Sequence, residues 1–367
     1  MTHPAGTPPA HQNDPLALPG GYTLNEYRFE RVLGGGGFGV TYLAHDTNLD
    51  CRVAIKEYLP RDVAVRTPEL SVRPRSADVE KTFDWGLQRF LLESRALASF
   101  HHAGIVRVLR YFRANDTAYM VMEYETGQPL QNWLVGRLPL DRASLLRIVR
   151  PLLDGLEVVH GAGFLHRDVK PGNIYMRADG SPVLLDFGSA RRTIEGQTAT
   201  FTAVIKQGYA PIEQYDDTRS GKQGPWTDLY ALAGVMYWMV TGRLPLEALA
   251  RLREDGMPAA ARIGNVTVFG IGLLNAIDWA LKPDESARPQ DVAAFRRACL
   301  APPTGGEGPV EPPLEAPLPL GVSAAEARSF IAAVLFADVA VASGDAAART
   351  EGRTRLARML TQTVASV

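Results

Sequence analysis

Apolar and polar residues alternate in strand-like runs from near Tyr22 to Tyr42, and the alternation resumes at Arg52 to Ile55 after a turn containing Asp46, Asn48 and Asp50. Ala118 to Glu125 reads as a further strand that runs into Thr126-Gly127. Between these segments the period changes: Phe90, Glu93 and Leu97 fall at i, i+3 and i+7, one face of a helix. Leu229 to Val240, headed by Asp228, predicts an apolar helix, and Asp291 to Leu300 a last one. A strand-rich third followed by a helix-rich two-thirds suits an α+β architecture.

The ends of the chain break this pattern. Residues 1–21 are rich in Pro, Ala and Gly, with no apolar core behind a basic flank; they read as a disordered tail and not as a signal peptide. A Pro- and Gly-rich linker is expected over 302–320, and an Ala-rich helical segment of unreadable role over 321–367, with a break at Gly344. The apolar stretch Phe330 to Ala342 is interrupted by Asp338 and falls short of the ~20 residues a membrane helix needs, so no membrane span is predicted. The stretch from Glu57 to Arg89 is long; within it Arg61 to Ser76, with mixed charge and two prolines, reads as an exposed loop able to dock a partner or simply to elaborate the surface.

A formal net charge of −1 offers no footprint for nucleic acid or an anionic membrane surface. The two cysteines, Cys51 and Cys299, are too few for a disulfide framework or a zinc cluster and suit a reducing cytoplasm. With 46% hydrophobic residues the chain has enough apolar material for a sizeable core.

The chemistry concentrates in His166-Arg167-Asp168-Val169-Lys170-Pro171-Gly172-Asn173 and, thirteen residues on, Asp186-Phe187-Gly188. A carboxylate to orient a hydroxyl (Asp168), a lysine to offset phosphoryl charge (Lys170), and an amide and a second carboxylate as hard oxygen ligands for Mg²⁺ or Mn²⁺ (Asn173, Asp186) form a set for phosphoryl transfer. Gly34-Gly35-Gly36-Gly37-Phe38-Gly39 fits G-x-G-x-x-G, a string shared with dinucleotide-binding folds. Here Val40-Thr41-Tyr42-Leu43 follows it, a poor helix start and a good strand, so the glycines predict a hairpin whose backbone approaches phosphates under the shield of Phe38. Lys56 closes the strand Val53-Ala54-Ile55-Lys56, and an ion pair with Glu93 would satisfy a carboxylate on an apolar stripe.

In their order and spacing these motifs resemble the Hanks-type (eukaryotic-like) serine/threonine protein kinases of bacteria over about Tyr22 to Leu300. The resemblance implies a two-lobed fold: a small lobe over about 22–122 with an antiparallel sheet and one key helix, a hinge at 123–127, and a larger, mainly helical lobe over 128–301. It implies ATP as phosphoryl donor, with Gly34, Gly36, Phe38 and Gly39 over the phosphates and Lys56, backed by Glu93, reaching them. Met122 becomes the gatekeeper, and main-chain groups of Glu123 and Glu125 face the base. Lys170 two residues after Asp168 resembles the serine/threonine version of the loop. Arg167 resembles that of members switched by activation-loop phosphorylation, with Thr193, Thr198, Thr200 and Thr202 as candidate sites of self-phosphorylation. Glu213 is expected to pair with Arg288, and Asp228 to hold the catalytic-loop backbone. Two positions depart from the pattern: Thr41 stands where a valine is usual, and Lys206 where a threonine contacts the catalytic residues. Other readings stay open, namely a nucleotide-binding, pseudokinase-like scaffold and a small-molecule kinase; the peptide-docking likeness of Tyr209 to Tyr215 weighs against the latter.

Overall fold

The computed structural model describes residues 14–187, 208–215, 223–252 and 254–301. The chain divides into two units, Met1–Thr304 and Gly305–Val367, and the described residues all belong to the first. The expected linker and Ala-rich segment, the four candidate threonines, Gly188 and Lys206 lie outside the described residues.

In chain order the small lobe comprises strands β1 (Thr23–Leu24), β2 (Tyr27–Gly36), β3 (Gly39–Asp46) and β4 (Cys51–Tyr58), a hairpin of β5 (Ala64–Arg66) and β6 (Val72–Pro74), helix α1 (Glu80–Ala98), and strands β7 (Val108–Ala114) and β8 (Thr117–Glu123). Six of these strands form one antiparallel sheet in the order β1-β2-β3-β4-β8-β7. The glycine run occupies the tip between β2 and β3, a hairpin as its β-branched sequel demands. Helix α1 turns Phe83, Phe90 and Leu97 inward, and the Tyr58 ring of β4 lies against Phe83 and Phe90 at centroid distances of 5.4 and 5.7 Å. Glu93 is buried on that same face.

Two stretches differ from their sequence reading. Arg61 to Ser76 contains a packed hairpin, β5–β6, with Val63, Ala64 and Val72 in the small-lobe core. Its charge is internal: the Arg66 guanidinium meets the Glu57 carboxylate, and both side chains are buried. The tail, expected to reach Gly21, is folded onto the sheet from Asp14 onward. Leu18 is buried, and its amide donates to Tyr42 Oη at 3.0 Å. Apolar residues at 16 and 18 have a core face to bury into, which outweighs the turn-forming composition around them.

The large lobe follows with β9 (Gly127–Pro129), α2 (Leu130–Trp133), α3 (Arg142–Gly161), β10 (Ile174–Arg177), β11 (Pro182–Leu184), α4 (Pro225–Thr241), short helices α5 (Ala248–Arg251), α6 (Ala260–Ile263) and α7 (Val266–Phe269), then α8 (Ile271–Ala280) and α9 (Val292–Leu300). Asp141 caps α3 by accepting from Ser144 N at 2.7 Å, and Gly242, at φ 69°, ends α4 in the left-handed conformation that suits glycine. Helix α4 is apolar on nearly every face because it runs through the middle of this core, between α3, α8 and α9. The lobes join at the hinge, where Gly127 passes so close to Met176 that a Cβ there would sit 2.0 Å from its carbonyl oxygen. A second junction is the parallel bridge Ile105–Leu184. The fold is thus the two-lobed α+β arrangement expected.

Candidate active site

Strand alternation places Lys56 on the sheet face opposite Ile55 and Glu57, level with Thr41 on β3 and Met120 on β8. Its ammonium donates to Asp186 Oδ1 at 2.9 Å. The expected partner, Glu93, supports the Lys56 charge, and Asp186 adds both charge and the hydrogen bond. Burial works hardest against the charge on Lys56, but Asp186, Glu93 and Asp168 together outweigh it and hold the lysine above its ordinary range. Asp186 in turn is held below the usual carboxylate range, chiefly by the Lys56 charge, although nearly half of its side chain is exposed.

The catalytic-loop residues converge on Asp168. Its Oδ2 accepts from Lys170 Nζ at 3.0 Å and from Asn173 Nδ2 at 2.8 Å, and its main-chain carbonyl accepts from the same amide at 2.8 Å. Both side-chain hydrogen bonds of Asn173 use Nδ2, so Oδ1 is the atom that could ligate a cation. The segment before Asp186 is tied in by Leu185 N donating to Asn173 O at 2.8 Å. His166 is fully buried and pushed below its ordinary value by burial, so it stays neutral; Nε2–H donates to Leu185 O at 2.9 Å while Nδ1 accepts from Asp168 N at 3.3 Å. Its ring packs 4.3 Å from that of Phe187.

This loop carries backbone strain. Arg167 at φ 66° and Asp186 at φ 41° are non-glycine residues in the left-handed region, which costs on the order of 1–3 kcal/mol each and persists only where the surroundings over-determine it. Asp228 supplies that determination for Arg167, accepting from the amides of His166 at 2.8 Å and Arg167 at 2.6 Å from a wholly buried position at the head of α4. Burial alone would raise the Asp228 pKa, but hydrogen bonds and neighbouring charge, His160 foremost, bring it below normal. Farther along, Arg288 clasps Glu213 with Nη1 at 2.8 Å and Nη2 at 3.2 Å, both groups fully buried, and Thr227 Oγ1 adds a 2.9 Å bond to Glu213. The expected supports Asp228 and Glu213–Arg288 are present.

Met122 is buried on β8 beside Ala54, and Glu123 and Glu125 follow at the hinge. Glu125 is held by Arg177 of β10 through two hydrogen bonds, Nε at 2.7 Å and Nη2 at 2.5 Å, which ties the hinge to the large lobe. Sequence reasoning missed Arg177, as it missed His160 behind Asp228; neither lies in a motif, and each partner is tens of residues away.

The glycine hairpin tests whether the cleft suits a nucleotide. A Cβ on Gly39 would meet Glu57 O at 2.2 Å, so β4 itself demands glycine there. At Gly34 and Gly36 a Cβ would meet nothing within 4 Å, so the protein's own packing makes no such demand. Bare backbone at those two positions fits the close approach of a phosphate chain. Asn173 and Asp186 offer oxygen donors of the kind hard divalent cations take, and their small number suits a cation that keeps phosphate and water oxygens as well.

Comparison with known proteins places these features in a wider set. The family model described as the protein kinase domain matches residues 27–299. The chain is 30% identical over 311 residues to serine/threonine-protein kinase Pkn1 of Myxococcus xanthus, covering 81% of this chain and 40% of that protein. It is 31% identical over 249 residues to serine/threonine-protein kinase PknL of Mycobacterium tuberculosis, covering 66% and 57% respectively. The chain therefore spans about half the length of the curated relatives it matches. Among solved structures, the PpkA-294 apo form superposes with a TM-score of 0.69 at 38% identity, over 77% of this chain and 99% of that one. The Mycobacterium tuberculosis PknI kinase domain shares the fold, with a TM-score of 0.55 at 23% identity over 77% of this chain and 98% of that one.

Proposed function

Because the chain belongs to the protein kinase family, we propose that it is an ATP-dependent serine/threonine kinase, acting on protein hydroxyls and on itself. The observation that carries this reading is the meeting of Lys56 and Asp186 with the Asp168–Lys170–Asn173 cluster on the two sides of one cleft.

Each group has a role that its surroundings favour. The Asp168 carboxylate, fixed by Asn173, orients the substrate hydroxyl and takes its proton as the oxygen attacks the γ-phosphorus and the bond to the β-phosphate oxygen breaks. Lys170 at 3.0 Å from Asp168 offsets charge on the phosphoryl group in flight. Lys56 holds the α- and β-phosphates, with Glu93 behind it; Gly34, Gly36, Phe38 and Gly39 cover them. Main-chain groups of Glu123 and Glu125, beside Met122, receive the adenine. Asn173 and Asp186 would hold Mg²⁺ or Mn²⁺, which supplies neutralisation of phosphate charge.

Activation by phosphorylation of Thr193, Thr198, Thr200 or Thr202 draws support from Arg167. Its Nε is buried with no hydrogen-bond partner among the described residues, and burial lowers its pKa. A dianion nearby would satisfy both conditions. No described helix is long and apolar enough to cross a membrane.

The test is transfer of γ-labelled phosphate to the protein and to a generic basic substrate, with Asp168→Asn in parallel. Label on wild type and a loss of several orders of magnitude in kcat for the variant, with nucleotide affinity kept, is expected. Nucleotide binding without transfer would support a scaffold instead, and turnover of a metabolite alone a small-molecule kinase.

A further inference from the structure

The glycine hairpin is held from outside by groups that belong to no kinase motif in this sequence. Arg61, three residues past the end of β4, donates from Nε to Gly36 O at 3.0 Å, and its own amide donates to Gly37 O at 2.7 Å. The same guanidinium reaches the N-terminal segment, donating from Nη1 to Asp14 Oδ1 at 3.2 Å and from Nη2 to Asp14 Oδ2. The carbonyl of Arg61 is fixed in turn by Arg75 at the end of the β5–β6 hairpin, through Nε at 3.1 Å and Nη2 at 2.8 Å. Arg61 and Asp14 thus meet at the tip of the hairpin, and Arg75 braces Arg61 from behind. Gly35 bears their imprint: a Cβ there would lie 3.2 Å from Arg61 Nη2 and 3.4 Å from Asp14 Oδ2, so this glycine makes room for the ion pair.

We infer that Arg61 is a positioning residue for ATP: with Asp14 as its tether, it sets the height of the glycine hairpin over the nucleotide phosphates. The inference rests on the reading of Gly34–Gly39 as the phosphate cover. A hairpin tip of consecutive glycines has the largest conformational freedom of any backbone, and each fluctuation away from the phosphates costs affinity. Arg61 removes that freedom before nucleotide arrives by holding two successive carbonyls, and it does so without touching the nucleotide. Asp14 holds the guanidinium bidentately, a geometry that a lysine cannot reproduce.

The experiment uses the full chain carrying Arg61→Ala, Arg61→Lys or Asp14→Asn. Binding of ATP with Mg²⁺ and of adenosine is measured at equilibrium, along with KM for ATP, KM for the protein substrate and thermal unfolding. Loss of one charge-assisted anchor should weaken ATP affinity by about tenfold in Arg61→Ala and raise KM for ATP in step, with adenosine affinity and protein-substrate KM unchanged. Asp14→Asn should fall between wild type and Arg61→Ala, and Arg61→Lys should recover only part of the loss. ATP affinity equal to wild type in both Arg61→Ala and Asp14→Asn would overturn the inference and leave the kinase reading intact. An equal loss of ATP and adenosine affinity would also overturn it, since that marks a general disturbance of the lobe. Wild-type protein that neither binds ATP nor transfers phosphate would instead remove the reading beneath it.

Discussion

Arg66→Met is the sharpest test of how the hairpin between β4 and α1 is built into the small lobe. Arg66 faces Glu57, whose Oε2 also accepts from Tyr42 Oη at 2.7 Å and whose Oε1 accepts from Tyr119 Oη at 2.6 Å. The guanidinium further donates to Leu16 O at 2.6 Å and Leu70 O at 2.9 Å. Burial, followed by the Glu57 charge, pushes both tyrosines well above their ordinary range, so they remain hydroxyl donors at any working pH. Methionine would fill the volume but remove the countercharge, leaving a carboxylate that is 0% exposed with only two neutral donors. Removing one member of such a pair costs about 3–5 kcal/mol. At about 2–3 °C per kcal/mol for a domain of this size, the melting temperature should fall by roughly 6–15 °C. Adding Glu57→Gln removes the orphaned charge, and the double variant should regain at least half of the loss. Thermal unfolding monitored by circular dichroism reads all three proteins. A drop below about 2 °C in Arg66→Met, or strictly additive losses in the double variant, would refute the claim that this pair is electrostatically committed.

Lys56→Met should abolish phosphoryl transfer in a protein that still folds, with a lowered melting temperature because the buried Glu93 and its neighbour Asp186 lose their shared cation; activity within tenfold of wild type would contradict the role given to Lys56. His166 is held neutral in the fold and has an unfolded value of about 6.5, so its contribution is full above pH 6.5 and is lost as pH falls below that toward its lower folded value. The denaturant midpoint should therefore fall between pH 7.5 and pH 5.5, and less steeply in His166→Gln; equal slopes would exclude this histidine as a source. Gly39→Ala should destabilise the β3–β4 pairing by forcing a Cβ onto Glu57 O, whereas Gly34→Ala should unfold like wild type yet bind ATP more weakly. Melting curves and nucleotide titrations on the two variants separate packing from ligand approach.

The cluster around Asp168 was legible because its parts sit close together in the chain. Asp168, Lys170 and Asn173 span six positions, and a loop that short has little choice but to bring them together. Glu213–Arg288 and the grip of Asp228 were legible only through family likeness, since no local pattern announces a partner some 60 to 75 residues away. The hydrogen bond from Lys56 to Asp186 was not legible, because strand and helix periodicity report which face a side chain occupies and not which of two carboxylates accepts from it. The hairpin at 61–76 was hidden by its charges. Arg61, Asp62, Arg66 and Glu69 read as solvent-loving, yet Arg66 is neutralised by Glu57, a residue on a different strand. Leu16 and Leu18 were masked by the Pro- and Gly-rich composition around them.

These misread stretches share a location that explains them. In β4 alternate side chains point to opposite faces of the sheet: Ala54, Lys56 and Tyr58 toward α1 and the cleft, Val53, Ile55 and Glu57 toward the other face. On that second face Tyr42, Tyr119, Arg66 and Leu18 close over Glu57, so the tail and the hairpin together form a lid on the back of the sheet. One strand thus carries Lys56 on its front and a buried charge network on its back, one residue apart. A shift of β4 by one residue would turn Lys56 into that closed network and Glu57 into the cleft, and both would lose their partners at once. The network behind the sheet therefore enforces the register on which the position of Lys56 depends.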